Sequence, residues 1–505
     1  MASLKRSAIA TYDWIERRLG LIKPLTAAAE HPTPASNASW WYVFGSAATV
    51  MLMLQIVTGV LLALVYSPSA NDAWRSLGLL NDRIPLGWYL RALHGWGSDF
   101  MVAIVLIHMV QVFLFGAYKF PRELTWIFGV GLLLLTLAMS FTGQVMRFDQ
   151  DAYWGLGIGA SILSRVPWIG APLVHLMLGG PIIAGSTLTR FFAFHVFVIP
   201  GILILAAGLH IWMTLYHGVS EWPMPGRLVS KATYQRDYHE LTKKTGIPFV
   251  PDAAWKDAVF AAVLLLSVML CAYFLGPIGP GGIPDPTIIQ TAPRPDIPFL
   301  WLYALLAFLP PSIETAFMLV VPALVILAML LLPVFAGEGE RHWSRRPVAV
   351  LMVCVIGITL ALFTHLGMYT PWSPIMDAWS SAPIPQKYLE NRSPLERQGA
   401  LVLQYQQCRN CHSLDGMGGQ RGPALDAVAS RLTEDQIIRQ VLQGGGNMPA
   451  YGNALTPAQT NALMRFLLTL RGDQPRAVDA SRALTHSGPH APLPAEPHKP
   501  SEVTP

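Results

Sequence analysis

Four histidines stand in two largely apolar stretches: His94 and His108 are 14 residues apart, and His195 and His210 are 15 apart. On an α-helix rising 1.5 Å per residue, each pair falls on nearly one face, about 21 to 22 Å apart along the axis. An imidazole inside a membrane helix is costly unless something uses it. Two helices that each carry two imidazoles at matched depths can hold two stacked haems, each with two nitrogen ligands. Four unrelated polar contacts between helices would need no such register. Farther along, Cys408-Arg-Asn-Cys411-His412 is the attachment pattern of a c-type haem. Both thiols would form thioethers with it, and His412 would be the proximal iron ligand. In Gly444-Gly-Gly-Asn-Met448-Pro449 the Met448 thioether sits on a polar loop with no core to fill, which suits a sixth ligand. Cys271 and Cys354 each sit alone in an apolar stretch and read as small apolar residues.

The rest of the sequence must position these groups in a bilayer. The 505 residues are 52% hydrophobic and only 13% charged, about half the charge content of an ordinary soluble domain. Uncharged runs long enough to span a membrane lie at 40–66, 100–118 (extended upstream to about 86), 124–146, 191–216, 258–276, 315–336 and 347–370. A shorter run, 299–313, ends in Pro310-Pro311 and reads as a helix lying at the interface. Residues 1–39 interleave Lys5, Arg6, Arg17, Arg18 and Lys23 without an apolar core, so no cleavable signal peptide is expected. Lys and Arg gather in alternate loops: five before span one, Lys119 and Arg122 after span two, six between 218 and 256, and Arg341, Arg345 and Arg346 after span six. The positive-inside rule then places the N-terminus in the cytoplasm and everything after residue 370 outside. The net charge of +5 follows from this topology, and no nucleic-acid partner is indicated.

The predicted fold is all-α. A cytoplasmic segment (1–39) leads into a four-helix dihaem part (40–220) and a three-helix part (221–370), seven transmembrane helices in all. A linker (371–390) then joins a small all-α cytochrome c domain (391–472), with helical patterns at 394–407, 433–443 and 456–471, and a Pro-, Ala- and His-rich tail (473–505) reads as disordered. If the spans alternate in direction, His94 pairs with His195 at the outer side and His108 with His210 at the inner side. Gly45 and Gly59 in span one, and Gly129 and Gly143 in span three, repeat the 14-residue spacing. They would clear room for a flat macrocycle against the backbone. Arg91 and Arg190 stand where cations could pair with the propionates of the outer haem.

With these motifs, residues 10–370 resemble the cytochrome b subunit of cytochrome bc complexes. The likeness includes Tyr12-Asp-Trp, Gly87-Trp-Tyr-Leu-Arg91, Lys119-Phe-Pro-Arg-Glu-Leu-Thr-Trp126 and Ser186-Thr-Leu-Thr-Arg-Phe191. The 15-residue gap and the seven spans resemble the plastid and Gram-positive branch, in which the b protein is usually split in two; here the parts are fused and a cytochrome c domain follows. Two positions depart from that branch. Val43 stands where an extra haem is attached through cysteine, and Pro295-Asp296-Ile297-Pro298 stands where the family carries Pro-Glu-Trp-Tyr.

The resemblance implies a bacterial inner-membrane quinol–cytochrome c oxidoreductase subunit with two non-covalent b haems and one covalent c haem. Quinol would be oxidised at the outer face, with Asp296 accepting a proton, and quinone reduced near the cytoplasmic face, where His217 could donate one. It also implies a separate Rieske iron–sulfur protein, a soluble or membrane-bound acceptor for the c haem, and a homodimeric complex. A dihaem anchor of a quinone-linked dehydrogenase, or an electron wire without a quinone site, would share the histidines. The anchor would leave the c domain, the Asp296 segment and spans five to seven unexplained.

Overall fold

A computed structural model describes residues 2–20, 26, 29–30, 32–180, 183–284, 294–309, 311–369, 383–418, 422–444, 448, 450–452 and 454–472. The chain divides into two compact units: residues 1–284 with 293–371, and a unit holding residue 372 onward. The expected tail, most of the linker, and residues 445–447 and 449 of the methionine loop lie outside the described residues.

Seven helices among the described residues are long and apolar enough to cross a membrane: Phe44–Ala63, Gly87–Leu114, Glu123–Met146, Gly185–His217, Phe249–Leu275, Ile313–Ala336 and Pro347–Tyr369. They match the seven expected runs, with spans four and five starting earlier than their apolar stretches. Large apolar side chains such as Phe274 and Phe335 lie exposed along them, as a lipid-facing surface requires. Span one packs against span two, and span three against span four; span five lies on one and two, and span six on three. Ile297–Phe299 and Leu300–Phe308 form the short helix before span six, and it packs on span seven. There Gly367 is needed for contact, because a Cβ would fall 2.6 Å from the Leu300 carbonyl oxygen.

Helices absent from the sequence reading fill the loops. Ala73–Asp82 lies between spans one and two, Gln150–Ser164 and Gly170–Leu178 between three and four, and Tyr234–Thr245 between four and five. An N-terminal helix covers Ala2–Leu19.

The basic loops meet on one side of the membrane unit. Pro32–Pro34 pairs antiparallel with Gly246–Pro248, and Leu228–Val229 with Gly339–Glu340. The C-termini of spans two, four and six end there, each with carbonyls that lack partners in their own helix. Cations from neighbouring loops satisfy them. Arg346 donates to the Phe113 and Leu114 carbonyls, Arg122 to those of His217 and Gly218, and Lys119 to that of Ala336. Positive charge at a helix C-terminus also opposes the helix dipole. Lys119 and Arg122 of the Lys119–Trp126 motif thereby cap helix ends, while the Trp126 indole N–H donates at 2.6 Å to the Met329 carbonyl within span six. Arg341 and Glu221 form a buried ion pair at 2.7 Å on this side, and Tyr234 donates to the same carboxylate. Burial alone would push the Glu221 carboxyl up, but Arg341 and the Tyr234 hydroxyl hold it below the ordinary value.

The C-terminal unit is a small helical domain. Pro394–Tyr405, Glu434–Gln443 and Pro457–Leu467 sit where the sequence places them, and a short helix, Val428–Arg431, is added. Each long helix opens on a reciprocal cap: Ser393 with Glu396, Thr433 with Gln436, and Thr456 with Gln459. Leu403, Leu414, Phe466 and Leu470 anchor its core.

Candidate functional site

The histidines meet in the two expected pairs. The ring centres of His94 and His195 lie 6.2 Å apart, and those of His108 and His210 lie 6.5 Å apart, with ring planes crossed at 78° and 81°. Two imidazoles sharing one metal, each with a nitrogen about 2 Å from it, have ring centres about 6.4 Å apart. Both pairs therefore fit one iron between them.

Span four reaches this register by a local device. Residues Phe194–Val198 form a π-helical turn with His195 in it, and such a turn takes up one residue more than the α-helical path. That is why 15 residues in span four match 14 in span two.

Each glycine faces one histidine. A Cβ added at Gly143 would lie 2.9 Å from His195 Cε1, at Gly59 3.1 Å from His94 Cε1, at Gly45 3.3 Å from His108 Cε1, and at Gly129 3.5 Å from His210 Cε1. Each glycine thus lies beside one of the four candidate ligand rings, where a flat group held by that ring would also approach the helix. The nearest group at each is the imidazole edge, so the glycines let the ligand rings lie against the neighbouring helix.

The outer pair has an orienting group that the sequence reading passed over. Thr58 Oγ1 lies 2.6 Å from the Leu54 carbonyl and 2.9 Å from His94 Nδ1; Thr142 Oγ1 lies 2.8 Å from the Ala138 carbonyl and 2.9 Å from His195 Nδ1. A hydroxyl has one hydrogen to give. Given to the carbonyl, it leaves the oxygen to accept from Nδ1–H, which fixes the tautomer and frees Nε2 for a metal. The signal was present, since a threonine precedes each outer glycine in Thr58-Gly59 and Thr142-Gly143. At the inner pair the same positions are Phe44 and Phe128.

Arg91 and Arg190 are engaged elsewhere. Arg91 donates to Asn81 Oδ1 at 3.0 Å and to the Ile278 carbonyl at 3.1 Å, and Arg190 to the Leu176 carbonyl at 2.9 Å. These bonds pin the outer loops. His217 ends span four, with its ring edge-on to Tyr216.

Asp296 lies next to the loop that follows span three. Its Oδ1 accepts from Arg147 Nη1 at 2.7 Å, and its backbone N–H donates to Gln144 Oε1 at 3.3 Å, one residue from Gly143. Phe299, just beyond it, meets Phe141 edge-on at 6.2 Å. Burial pushes the Asp296 carboxyl above its ordinary value, and the Arg147 guanidinium offsets part of that rise.

In the C-terminal unit, His412 Nδ1 lies 2.7 Å from the Pro423 carbonyl, which can only accept. Nδ1 therefore carries the proton and Nε2 is free to bind iron. Gly422 lies flat against this ring: a Cβ there would fall 2.3 Å from Cε1. Burial holds the imidazole below its ordinary value, so its neutral, ligating form prevails. Burial also pushes the Cys408 thiol up to about 12. Met448 packs at the margin of the core, where Gln440 Nε2 donates to its Sδ.

The Cytochrome b/b6/petB profile matches residues 29–218, and that of the cbb3-type cytochrome c oxidase subunit III matches residues 395–467. A cytochrome b6 of Heliobacterium mobile is 34% identical over 210 residues, covering 41% of this chain and 99% of the relative. The chain belongs to the cytochrome b/b6 family. Cytochrome b/c1 of Bradyrhizobium diazoefficiens is 31% identical over 370 residues, 71% of this chain, and the match spans about half (50%) of that relative's length. Among solved structures, a chain of a hyperthermophilic respiratory Complex III superposes with a TM-score of 0.59 at 27% identity, covering 71% of this cytochrome b chain and 92% of the other. The protein is thus a membrane electron-transport component with a cytochrome b part and a C-terminal cytochrome c domain, and both parts imply haem.

Proposed function

We propose that the chain is the b and c subunit of a quinol-oxidising bc complex in a bacterial inner membrane, with its N-terminus cytoplasmic and its c domain outside. The observation that carries this is the pair of histidine sites at ring separations of 6.2 and 6.5 Å, with the half-buried Asp296 hydrogen-bonded one residue from the glycine that faces His195.

His94 with His195, and His108 with His210, would hold two non-covalent b haems. Cys408, Cys411, His412 and Met448 would hold one covalent c haem. When bound, these groups supply one-electron acceptance, a route across the membrane and an exit outside it. The residues supply the rest. Asp296 would accept a proton from quinol at the outer face, beside the Phe141 and Phe299 rings, and His217 would donate a proton to quinone at the inner end of span four. A Rieske iron–sulfur protein would take the other quinol electron, and an acceptor outside the chain would draw from the c domain. The family leads us to propose a homodimeric complex.

Thr58 and Thr142 give the outer site a direction. A hydrogen bond that makes an imidazole more basic favours the oxidised iron, so a haem held by His94 and His195 would have the lower potential of the two. Thr142→Val is expected to raise the outer midpoint by about 60 mV, equivalent to a tenfold change in relative affinity for the two iron states. Redox titration of the two b-haem bands checks this, with the inner midpoint as internal control.

The c site has its own test. Cys408→Ser with Cys411→Ser should leave no haem on the denatured chain in a haem-stained gel, while the b-haem spectra persist. Covalent haem retained by this variant would contradict the assignment.

A further inference from the structure

Arg147 stands between two carboxylates of unequal character. Its Nη1 is 2.7 Å from Asp296 Oδ1, and its Nε is 3.5 Å from Asp149 Oδ2. Asp149 is locked in place. Its Oδ1 accepts from the Ala152 N–H and caps the helix Gln150–Ser164, its Oδ2 accepts from the Gly281 N–H, and its side chain is 2% exposed. Asp296 is more open, at 23%, and only one of its oxygens is committed. Among the described residues Oδ2 has no hydrogen-bond partner.

We propose that Arg147 is a positioning residue for quinol oxidation: it grips Asp296 by one oxygen, keeps it a carboxylate and leaves the other oxygen to accept, while Asp149 retains the guanidinium once Asp296 is protonated. This rests on the function proposed above. A buried carboxylate without a cation would be protonated before quinol arrived and could accept nothing. A cation with no second anchor would follow the charge and leave the site when Asp296 was neutralised. The fixed Asp149 removes that outcome, because Arg147 keeps an anionic partner in either state. The charged groups that bear on Asp296 from the packed elements are Arg147, Asp149 and Asp151 from the loop after span three, and Asp99 from span two.

The signs are opposite for the two partners of Arg147. Removing the cation raises the proton affinity of Asp296, so the acidic limb of the rate profile moves to higher pH. Removing the Asp149 charge lowers that affinity, and the limb moves to lower pH. Asp149→Asn keeps a side-chain oxygen for the Ala152 N–H, so the helix cap survives.

The experiment uses the purified complex carrying Arg147→Met, Arg147→Lys or Asp149→Asn. Haem b reduction by short-chain benzoquinol, and by naphthoquinol in parallel, is followed from pH 5 to 9. In the same samples the infrared carboxylic-acid band that Asp296→Asn abolishes is titrated without quinol. Arg147→Met should move the acidic limb and the infrared midpoint up by about 1 to 3 pH units, with a fall of at least about tenfold below the limb and recovery above it. Arg147→Lys should move them less in the same direction, and Asp149→Asn should move them down. A loss of equal factor at every pH, or an unmoved infrared midpoint in Arg147→Met, would overturn the proposal. If the wild-type complex shows no quinol-dependent haem reduction, the proposed function fails, while the infrared midpoints still decide the role of Arg147. If Arg147→Met does not assemble, the opposite shifts of Arg147→Lys and Asp149→Asn carry the test.

Discussion

Replacing His195 with leucine is expected to halve the b-type haem content and bring quinol-dependent reduction of the remaining b haem to background. Leucine matches the imidazole in bulk and keeps the apolar surroundings filled, so the helix has no reason to unfold. What it removes is the nitrogen that faces His94 across 6.2 Å and the acceptor–donor chain through Thr142. The outer site lies between the Asp296 segment and the inner pair, so its loss cuts the route and not just one stop on it. His108→Leu gives the contrasting result: quinol should still reduce the outer haem, but electrons should go no farther. Haemochrome quantification and low-temperature b-band spectra separate the two variants. Equal haem content in His195→Leu and wild type would sink the ligand assignment.

Asp296→Asn should slow quinol oxidation by roughly 100-fold at neutral pH, the usual loss when a positioned general base is removed. Asparagine has the same shape, and its oxygen can still accept from Arg147, so the segment should stay in place and both b-haem spectra should be unchanged. The pH profile sharpens the test. Burial holds the Asp296 carboxyl above its ordinary value, so in the wild type the rate should rise with pH through that raised pKa, as the accepting carboxylate form fills. In Asp296→Asn that limb should vanish and leave a low, flat profile. Altered haem spectra would show the residue to be structural, and a wild-type rate would show that the proton goes elsewhere.

Much of this could be read in the sequence because the bilayer simplifies the problem. Seven apolar runs had to become seven helices, since a backbone in lipid must satisfy its own hydrogen bonds, and the histidine spacing then fixed which rings meet. The 15-residue gap was visible, but its cause was not: a π-helical turn at Phe194–Val198 leaves no compositional mark. The glycines were found by their spacing, and the structure adds that each faces the edge of one imidazole, which spacing alone could not say. Thr58 and Thr142 could have been read from their place before each outer glycine. Arg147 could not. Its partner is 149 residues away, and only the return of the chain before the Ile297–Phe308 helix brings the two charges together. The short helices between spans were missed for a related reason, since their amphipathic faces are completed by the membrane unit they cover.

One chain should carry two histidine-ligated b haems in series beside the quinol site. The most direct measurement is anaerobic stopped-flow reduction of the purified complex by quinol, with b and c haem quantified on the same sample and a quinol-site inhibitor as control. Two b haems per c haem are expected, with inhibitor-sensitive reduction of b haem by quinol. One b haem per chain, or b haems that quinol does not reduce, would contradict it.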